Sequence, residues 1–214
     1  MKDLSNYRKS YEKDSLLETN LPLNPLELFN SWFKDAENSD GIDEANAMTI
    51  TTISEIGYPK ARVVLLKQYD ASGFVFYTNY NSEKGKAIAF NNKVSLSFFW
   101  PALERQIIIK GIAAKTPNEV SDAYFSSRPI GSQLGAIVSP QSQVIPNRAF
   151  LEENLIKLEQ ENAGLESLKR PEHWGGYTVK PVEIEFWQGR ANRLHDRIVY
   201  ENKNENWERN RLAP

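Results

Sequence analysis

Five short segments between Ala47 and Ala114 constrain this chain more than anything else in it. Met48–Ile53, Lys60–Lys67, Phe74–Asn79, Val94–Phe99 and Arg105–Ala113 are rich in Val, Ile, Thr and aromatic residues. Turn-forming stretches separate them: Glu55-Ile56-Gly57-Tyr58-Pro59, Asp70-Ala71-Ser72-Gly73 and Trp100-Pro101. Strands resume at Tyr177–Gln188, Arg193–Glu201 and Asn206–Leu212. Antiparallel strands at such short spacing give a mainly β fold with peripheral helices, a barrel or sandwich rather than a βαβ unit. The sequence has no GxGxxG and no Walker motif, so neither a Rossmann fold nor a P-loop is supported.

The helices announce themselves by their starts. Asn24-Pro25-Leu26-Glu27 offers a capping Asn, a proline preset for the first helical position and a Glu able to reach back. Leu28, Phe29, Trp32 and Phe33 then form the apolar stripe of a helix ending near Glu37. A second helix runs from Ser82 to about Asn91. Thr116-Pro117-Asn118-Glu119 reads as a capping box opening a helix to about Ser127, stopped by Pro129. Another runs from about Asn147 to Ala163, with Leu151, Leu155 and Leu158 on one side and Gly164 as its stop. Residues 1–20 are polar and poorly periodic and read as a mobile N-terminal arm, leaving 21–214 as a single domain.

The chemistry is bounded by what is missing. The 214 residues include no Cys and two His, far apart at 173 and 195. Disulfides, thiolate nucleophiles, zinc fingers and iron–sulfur clusters are thereby excluded, and no metal site is expected. Lys and Arg number 26 against 28 Asp and Glu, a net charge of −2 that argues against a general nucleic-acid binder. No apolar window is long enough to span a bilayer, and the N-terminus lacks a signal-peptide core. A cytoplasmic protein is expected.

Four clusters put charge inside segments that otherwise read as core. Arg62-Val63-Val64-Leu65-Leu66-Lys67 is apolar enough to be buried on both faces, yet has a cation at each end. Those cations are either strand-end charges reaching solvent or part of a site. In Tyr77-Thr78 through Ser82-Glu83-Lys84 a strand feeds a helix N-terminus beside a Lys, which suits a phosphate, though a plain capped helix has the same pattern. Tyr124, Arg128 and Ser132 fall where Pro129 turns the chain, so a planar guanidinium fork and two hydroxyls can converge on a phosphomonoester, though a surface Arg beside a turn has the same pattern. Arg193, His195 and Arg197 alternate just after Trp187; in an extended strand all three share a side, and an anionic ligand or a solvated edge would each explain them. Two phosphate-type grips with no nucleophile or metal set point to a phosphorylated redox cofactor and a phosphorylated substrate.

These residues fall within a pattern that resembles the pyridoxamine 5′-phosphate oxidase family. The matching strings are RVVLLK (62–67), FYTN (76–79), LERQ (103–106), SRPxxSQ (127–133), VSPQS (138–142), WGG (174–176), EFWQG (185–189), NRLHDR (192–197) and RLAP (211–214), in order over roughly residues 24–214. The resemblance implies an FMN-binding split β-barrel homodimer with FMN at the subunit interface. It implies FMN contacts from Arg62, Val63, Val64, Leu65, Leu66, Lys67, Tyr77, Thr78, Lys84, Gln106, Gln141, Ser142, Trp187 and Arg197. It places the substrate phosphate against Lys67, Tyr124, Arg128 and Ser132, the substrate ring against Arg193 and His195 as catalytic residues, and Arg8 and Tyr11 in a closing arm. Glu83 departs from the pattern, standing where the family usually has Arg; an acid cannot donate to phosphate, so Lys84 alone is kept from that pair.

The implied reaction is oxidation of pyridoxamine or pyridoxine 5′-phosphate to pyridoxal 5′-phosphate by dioxygen, with hydrogen peroxide released and ammonia lost from the amine. Two other readings are weighed against it: a split-barrel FMN reductase or oxidase of another substrate, and a non-catalytic flavin or pyridoxal-phosphate carrier.

Overall fold

A computed structural model describes residues 1–204 and 206–214. The strands are β1 (Ala47–Ile53), β2 (Pro59–Leu65), β3 (Gln68–Asp70), β4 (Gly73–Asn79), β5 (Lys93–Trp100), β6 (Arg105–Lys115), β7 (Trp174–Gln188), β8 (Asp196–Lys203) and β9 (Asn206–Leu212). The helices are α1 (Pro25–Glu37), α2 (Glu83–Phe90), α3 (Asn118–Ser127), α4 (Ile130–Val138) and α5 (Arg148–Glu161). Among the described residues the strands form one sheet in the order β2-β1-β5-β6-β7-β4-β3, with β8 paired to β7 and β9 to β8. The β3–β4, β4–β7, β7–β8 and β8–β9 pairs are antiparallel. No helix among the described residues is long and apolar enough to cross a membrane. The chain divides into two compact units, residues 1–50, 95–111 and 181–214 in the first and 51–94 and 112–180 in the second.

The first unit is built on the apolar face of α1. Asn24 Oδ1 accepts the Leu26 N–H at 3.0 Å and Pro25 takes the first helical position, so the helix starts as the sequence predicts. Phe29 meets Phe98 at 5.4 Å, Trp32 meets Phe186 at 5.3 Å and Phe33 meets Trp100 at 6.2 Å, all edge-on. Each such buried aromatic contributes about 1.5–3 kcal/mol relative to its exposed state. One cation lies within this apolar region. Arg105, 7% exposed, lies over the Trp32 ring and donates to Asp35, Asp14 and Gln188 at 2.6–2.9 Å. A buried guanidinium is tolerable only when so fully bonded.

The second unit centres on β4, where Phe74 and Phe76 are fully buried and Phe76 stacks on its register partner Tyr177. Gly73 must be glycine: its φ is +135°, and a Cβ there would lie 2.3 Å from the Val179 carbonyl oxygen. A further apolar cluster gathers Phe125, Leu134, Leu168 and Trp174, against which Leu155 and Leu158 of α5 pack. That is the face of α5 the sequence predicts, with Asn147 accepting the Phe150 N–H at 3.0 Å.

Three expectations fail here. The Arg62–Lys67 stretch is not buried on both faces: β2 ends the strand order, and Val63 is 68% exposed. Apolar content alone does not distinguish an internal strand from an edge strand. The Thr116 capping box does not form either. Helix α3 begins behind Pro117, and the Thr116 hydroxyl instead meets the Ser121 hydroxyl at 2.7 Å. Finally, Pro129 stops α3 but at once opens α4, a helix that the sequence does not announce. Proline suits the start of a helix as well as the end of the one before.

Candidate functional site

The second unit contains a cavity of about 530 Å³ into which both predicted phosphate grips face. Val63, Val64, Leu65 and Lys67 from β2 and the residues after it line it together with Tyr77 and Thr78 of β4. At one end Lys84 lies in the first turn of α2, whose start is set by Ser82 accepting the Gly85 N–H. Lys84 is 8% exposed, and its ammonium donates to Thr78 Oγ1 at 3.2 Å, Gln141 Oε1 at 3.1 Å and Ser82 Oγ at 3.5 Å. Every one of those acceptors is neutral. Burial, and then the nearby Arg62, push the Lys84 ammonium below its ordinary value.

The other end is aromatic and cationic. Tyr77 stacks on Tyr124 at 3.8 Å and on Trp174 at 5.5 Å. The Arg128 guanidinium lies over the Trp174 ring at 4.6 Å, and its Nη1 is buried with no hydrogen-bond partner. Arg128 closes α3 in extended conformation, as Pro129 requires, and Ser132 follows in the first turn of α4. Gln133 locks this elbow. It is fully buried, donates to the Arg128 and Ser126 carbonyls and accepts the Leu168 N–H at 2.8 Å. Desolvation raises both the Tyr77 and Tyr124 hydroxyls above their ordinary values, so both remain protonated donors at neutral pH.

The remaining candidates lie in the first unit. Arg8, Tyr11, Arg193 and His195 line a cavity of about 680 Å³ together with Lys9 and Arg190, and among the described residues no carboxylate lines it. The alternation predicted for Arg193, His195 and Arg197 is wrong. Residues 191–193 form a short 3-10 turn, Asn192 and Arg193 have φ of 57° and 62°, and β8 starts only at Asp196. Asn tolerates left-handed backbone, which is what lets the chain turn here. His195 instead has its Nδ1 accepting the Arg190 N–H at 3.1 Å, while its ring lies 4.6 Å from Trp187 and 5.8 Å from Tyr11. An accepting Nδ1 leaves the proton on Nε2. Partial burial, then Arg193, hold the imidazole below its ordinary value and so neutral at pH 7.

Other predicted residues lie apart from either cavity wall. Leu66 is buried in the core. Arg62 donates through Nη1 to Thr52 at 2.7 Å, leaves a buried Nη2 unpartnered, and lines a small cavity of about 190 Å³. Gln106 lies half-buried in β6, and Ser142 is exposed in left-handed backbone. Arg197 makes a two-pronged bridge to Glu185 at 2.7 and 3.1 Å. Glu83 turns to Lys60 and lines that small cavity rather than the one Lys84 faces. Sequence reasoning missed Trp174, Arg190 and Ser139 as lining residues. The WGG string held the first, but nothing local marked its ring as a platform for Arg128.

Comparison with known proteins gives the family and the fold. Residues 35–161 match the family model described as pyridoxamine 5′-phosphate oxidase, and residues 174–214 match the pyridoxine 5′-phosphate oxidase C-terminal dimerisation region. The chain is 62% identical to the pyridoxine/pyridoxamine 5′-phosphate oxidase of Flavobacterium johnsoniae and 61% identical to that of Flavobacterium psychrophilum, in each case over 100% of both chains. Among solved structures, PhzG from Burkholderia lata, in complex with tetrahydrophenazine-1-carboxylic acid, superposes with a TM-score of 0.86 at 27% identity, covering 94% of this chain and 98% of that one. A pyridoxamine 5′-phosphate oxidase-related, FMN binding protein from Nostoc punctiforme shares the fold at a TM-score of 0.71 and 14% identity, covering 91% and 100%. The fold is thus the FMN-binding split barrel that the sequence predicts, and with both of its regions matched and relatives above 60% identical along its whole length, the chain belongs to the pyridoxine/pyridoxamine 5′-phosphate oxidase family.

Proposed function

We propose that the chain is an FMN-dependent oxidase converting pyridoxamine 5′-phosphate or pyridoxine 5′-phosphate to pyridoxal 5′-phosphate with dioxygen, releasing hydrogen peroxide and, from the amine, ammonia. One observation carries the reading. A single cavity has at one end a buried Lys84 bonded only to neutral oxygens, and at the other Arg128 with a buried, unpartnered Nη1. Buried cations without counterions are costly and imply anions bound in their place.

The residues present fit FMN. Lys84, Thr78 and Gln141 supply the cation and polar atoms for its phosphate, with Arg62 and its free Nη2 close in sequence to the Val63–Leu65 wall. Tyr77 with the β2 wall offers apolar surface for a flat ring, and Gln106, Ser142, Trp187 and Arg197 complete the proposed contact set. Bound there, FMN would supply the hydride acceptor and the route of the electrons to dioxygen. The chain's part is to bind and orient. Lys67 and Arg128 bring two positive charges to a substrate phosphate close to −2, while the Tyr124 and Ser132 hydroxyls fill its remaining lone pairs. That remote grip positions the reacting carbon and disfavours unphosphorylated substrates. Neutral His195 holds its proton at Nε2, ready to donate to the substrate ring, and Arg193 steadies developing charge.

The working form is proposed to be a homodimer with FMN at the interface. In support, Trp187, Arg193, His195 and Arg197 all lie within the 174–214 stretch that matches the dimerisation region. Substrate and cofactor are both phosphorylated and do not cross membranes unaided, which favours the cytoplasm. The test is peroxide release by the purified protein with pyridoxamine 5′-phosphate and with unphosphorylated pyridoxamine. Turnover is expected with the first and a loss of at least about 100-fold in kcat/KM with the second. Equal rates would contradict the phosphate grip, and no peroxide with either would contradict the oxidase reading.

A further inference from the structure

Glu104 has the surroundings of a device rather than of an ordinary turn residue. It is 2% exposed and sits in left-handed backbone at φ 56°, ψ 37°. Non-glycine residues persist there only when their surroundings fix them. Its carbonyl accepts the Gly189 N–H at 2.8 Å, fixing it to the end of β7. Its carboxylate faces the other way, toward the N-terminal residues. Oε2 accepts the Glu12 and Lys13 N–H groups at 2.8 and 3.1 Å, and Oε1 pairs with Lys9 at 3.2 Å.

Between those anchor points lies Tyr11. Its ring meets Trp187 edge-on at 5.8 Å and His195 at 5.8 Å, and it covers Gly189, where a Cβ would come within 2.8 Å of it. Residues 7–11 form one wall of the cation-lined cavity that contains Arg193 and His195. A single buried residue therefore joins the peptide carrying Tyr11, through its carboxylate, to the strand end carrying Trp187, through its backbone carbonyl. We propose that Glu104 is a positioning residue whose carboxylate latches the N-terminal arm, holding Tyr11 against Trp187 and His195 so that the arm walls the substrate-ring cavity. The inference rests on the proposed oxidase reading for its kinetic consequence, but not for the latch itself. The charged state suits the role, since the three donors keep the Glu104 carboxyl below its ordinary value despite burial.

The test compares Glu104→Ala, Glu104→Gln and Tyr11→Ala with the parent protein, each loaded with FMN. Trypsin cleavage after Lys9 should accelerate about tenfold or more in Glu104→Ala, and the His195 ring resonance, one of two histidines, should titrate closer to its ordinary range. KM for pyridoxamine 5′-phosphate should rise about tenfold with kcat within about twofold, and the Tyr11→Ala/Glu104→Ala double variant should add nothing to either single change. Glu104→Gln, which retains one acceptor oxygen and the side-chain volume, should fall between. If Glu104→Ala fails to fold, the same comparison runs on Glu104→Gln with its melting temperature matched to the parent. Unchanged cleavage and unchanged His195 titration in a folded variant would overturn the latch, as would additive kinetic effects. An absence of oxidase activity in the parent would instead overturn the oxidase reading, with cleavage and titration still deciding the latch.

Discussion

Tyr77 and Tyr124 lie face to face, their ring centroids 3.8 Å apart and their planes 17° from parallel. Tyr77 precedes Thr78, which accepts from Lys84; Tyr124 stands one helical turn before Arg128. The stack therefore ties the segments carrying the two cationic ends of the cavity to each other, β4 on one side and α3 on the other.

Tyr124→Phe keeps that stack and removes only a hydroxyl. It should raise KM for the phosphorylated substrate about tenfold, the worth of one hydrogen bond to a charged group, and leave the melting temperature unchanged. Tyr124→Ala should raise KM and also lower the melting temperature by a few degrees, since about 1 kcal/mol of ring stacking is lost with it. Steady-state kinetics and a thermal scan separate the two.

Arg128 offers a trade between binding and stability. Its partnerless Nη1 is a burden on the ligand-free fold and an asset once an anion arrives. Arg128→Met should raise KM for the phosphorylated substrate about 30–100-fold, yet leave the ligand-free protein as stable as the parent or more so. A lowered melting temperature would show that the guanidinium holds the elbow, a task the structure gives to Gln133.

In the proposed reaction Arg193 steadies charge near the reacting carbon and does not hold the cofactor, so Arg193→Ala should lower turnover by about 10²–10³-fold with FMN retained. Flavin absorbance of the purified variant reports retention, and turnover near the parent value would remove Arg193 from the mechanism.

Two acid-side effects follow from the ionisable groups. His195 is neutral in the fold and titrates below its ordinary value of 6.5, because burial and Arg193 disfavour the cation. Its contribution to stability is therefore complete above about pH 6.5 and is lost as pH falls through the lower folded value. Protonation also breaks the Arg190 N–H to Nδ1 bond, so kcat/KM should fall on the acid side with a midpoint below 6.5. Further down, the Arg211 bridge holds the Glu18 carboxyl at about 2 against an ordinary 4.5. Its contribution is present above 4.5 and disappears as pH approaches 2, so amide exchange around Leu16–Glu18 should quicken over that window while the α1 core stays protected.

What could be read from the sequence was mostly local. The start of α1 at Asn24-Pro25, the apolar face of α5 and the limits of β9 follow from capping, periodicity and turn residues that lie within a few positions of one another. The SRPxxSQ string was legible only in part: Pro129 acts on its neighbour Arg128, but α4 and the bond from Leu168 to Gln133 depend on more of the chain. What escaped depended on distant partners. Glu104 meets Glu12 and Lys13 across about ninety positions, and Arg197 is claimed by Glu185 only because β7 and β8 pair. Alternation at 193, 195 and 197 misled because it presumes a strand, and two successive left-handed residues replace it with a turn.

In the proposed reaction the cavity between Lys84 and Arg128 orders a flavin and a phosphorylated substrate for direct oxidation. Its most direct test is the visible spectrum of the FMN-loaded protein during anaerobic addition of pyridoxamine 5′-phosphate. The flavin band should bleach with one equivalent of substrate and return on admitting air, with peroxide formed. A band that stays oxidised through excess substrate would contradict it.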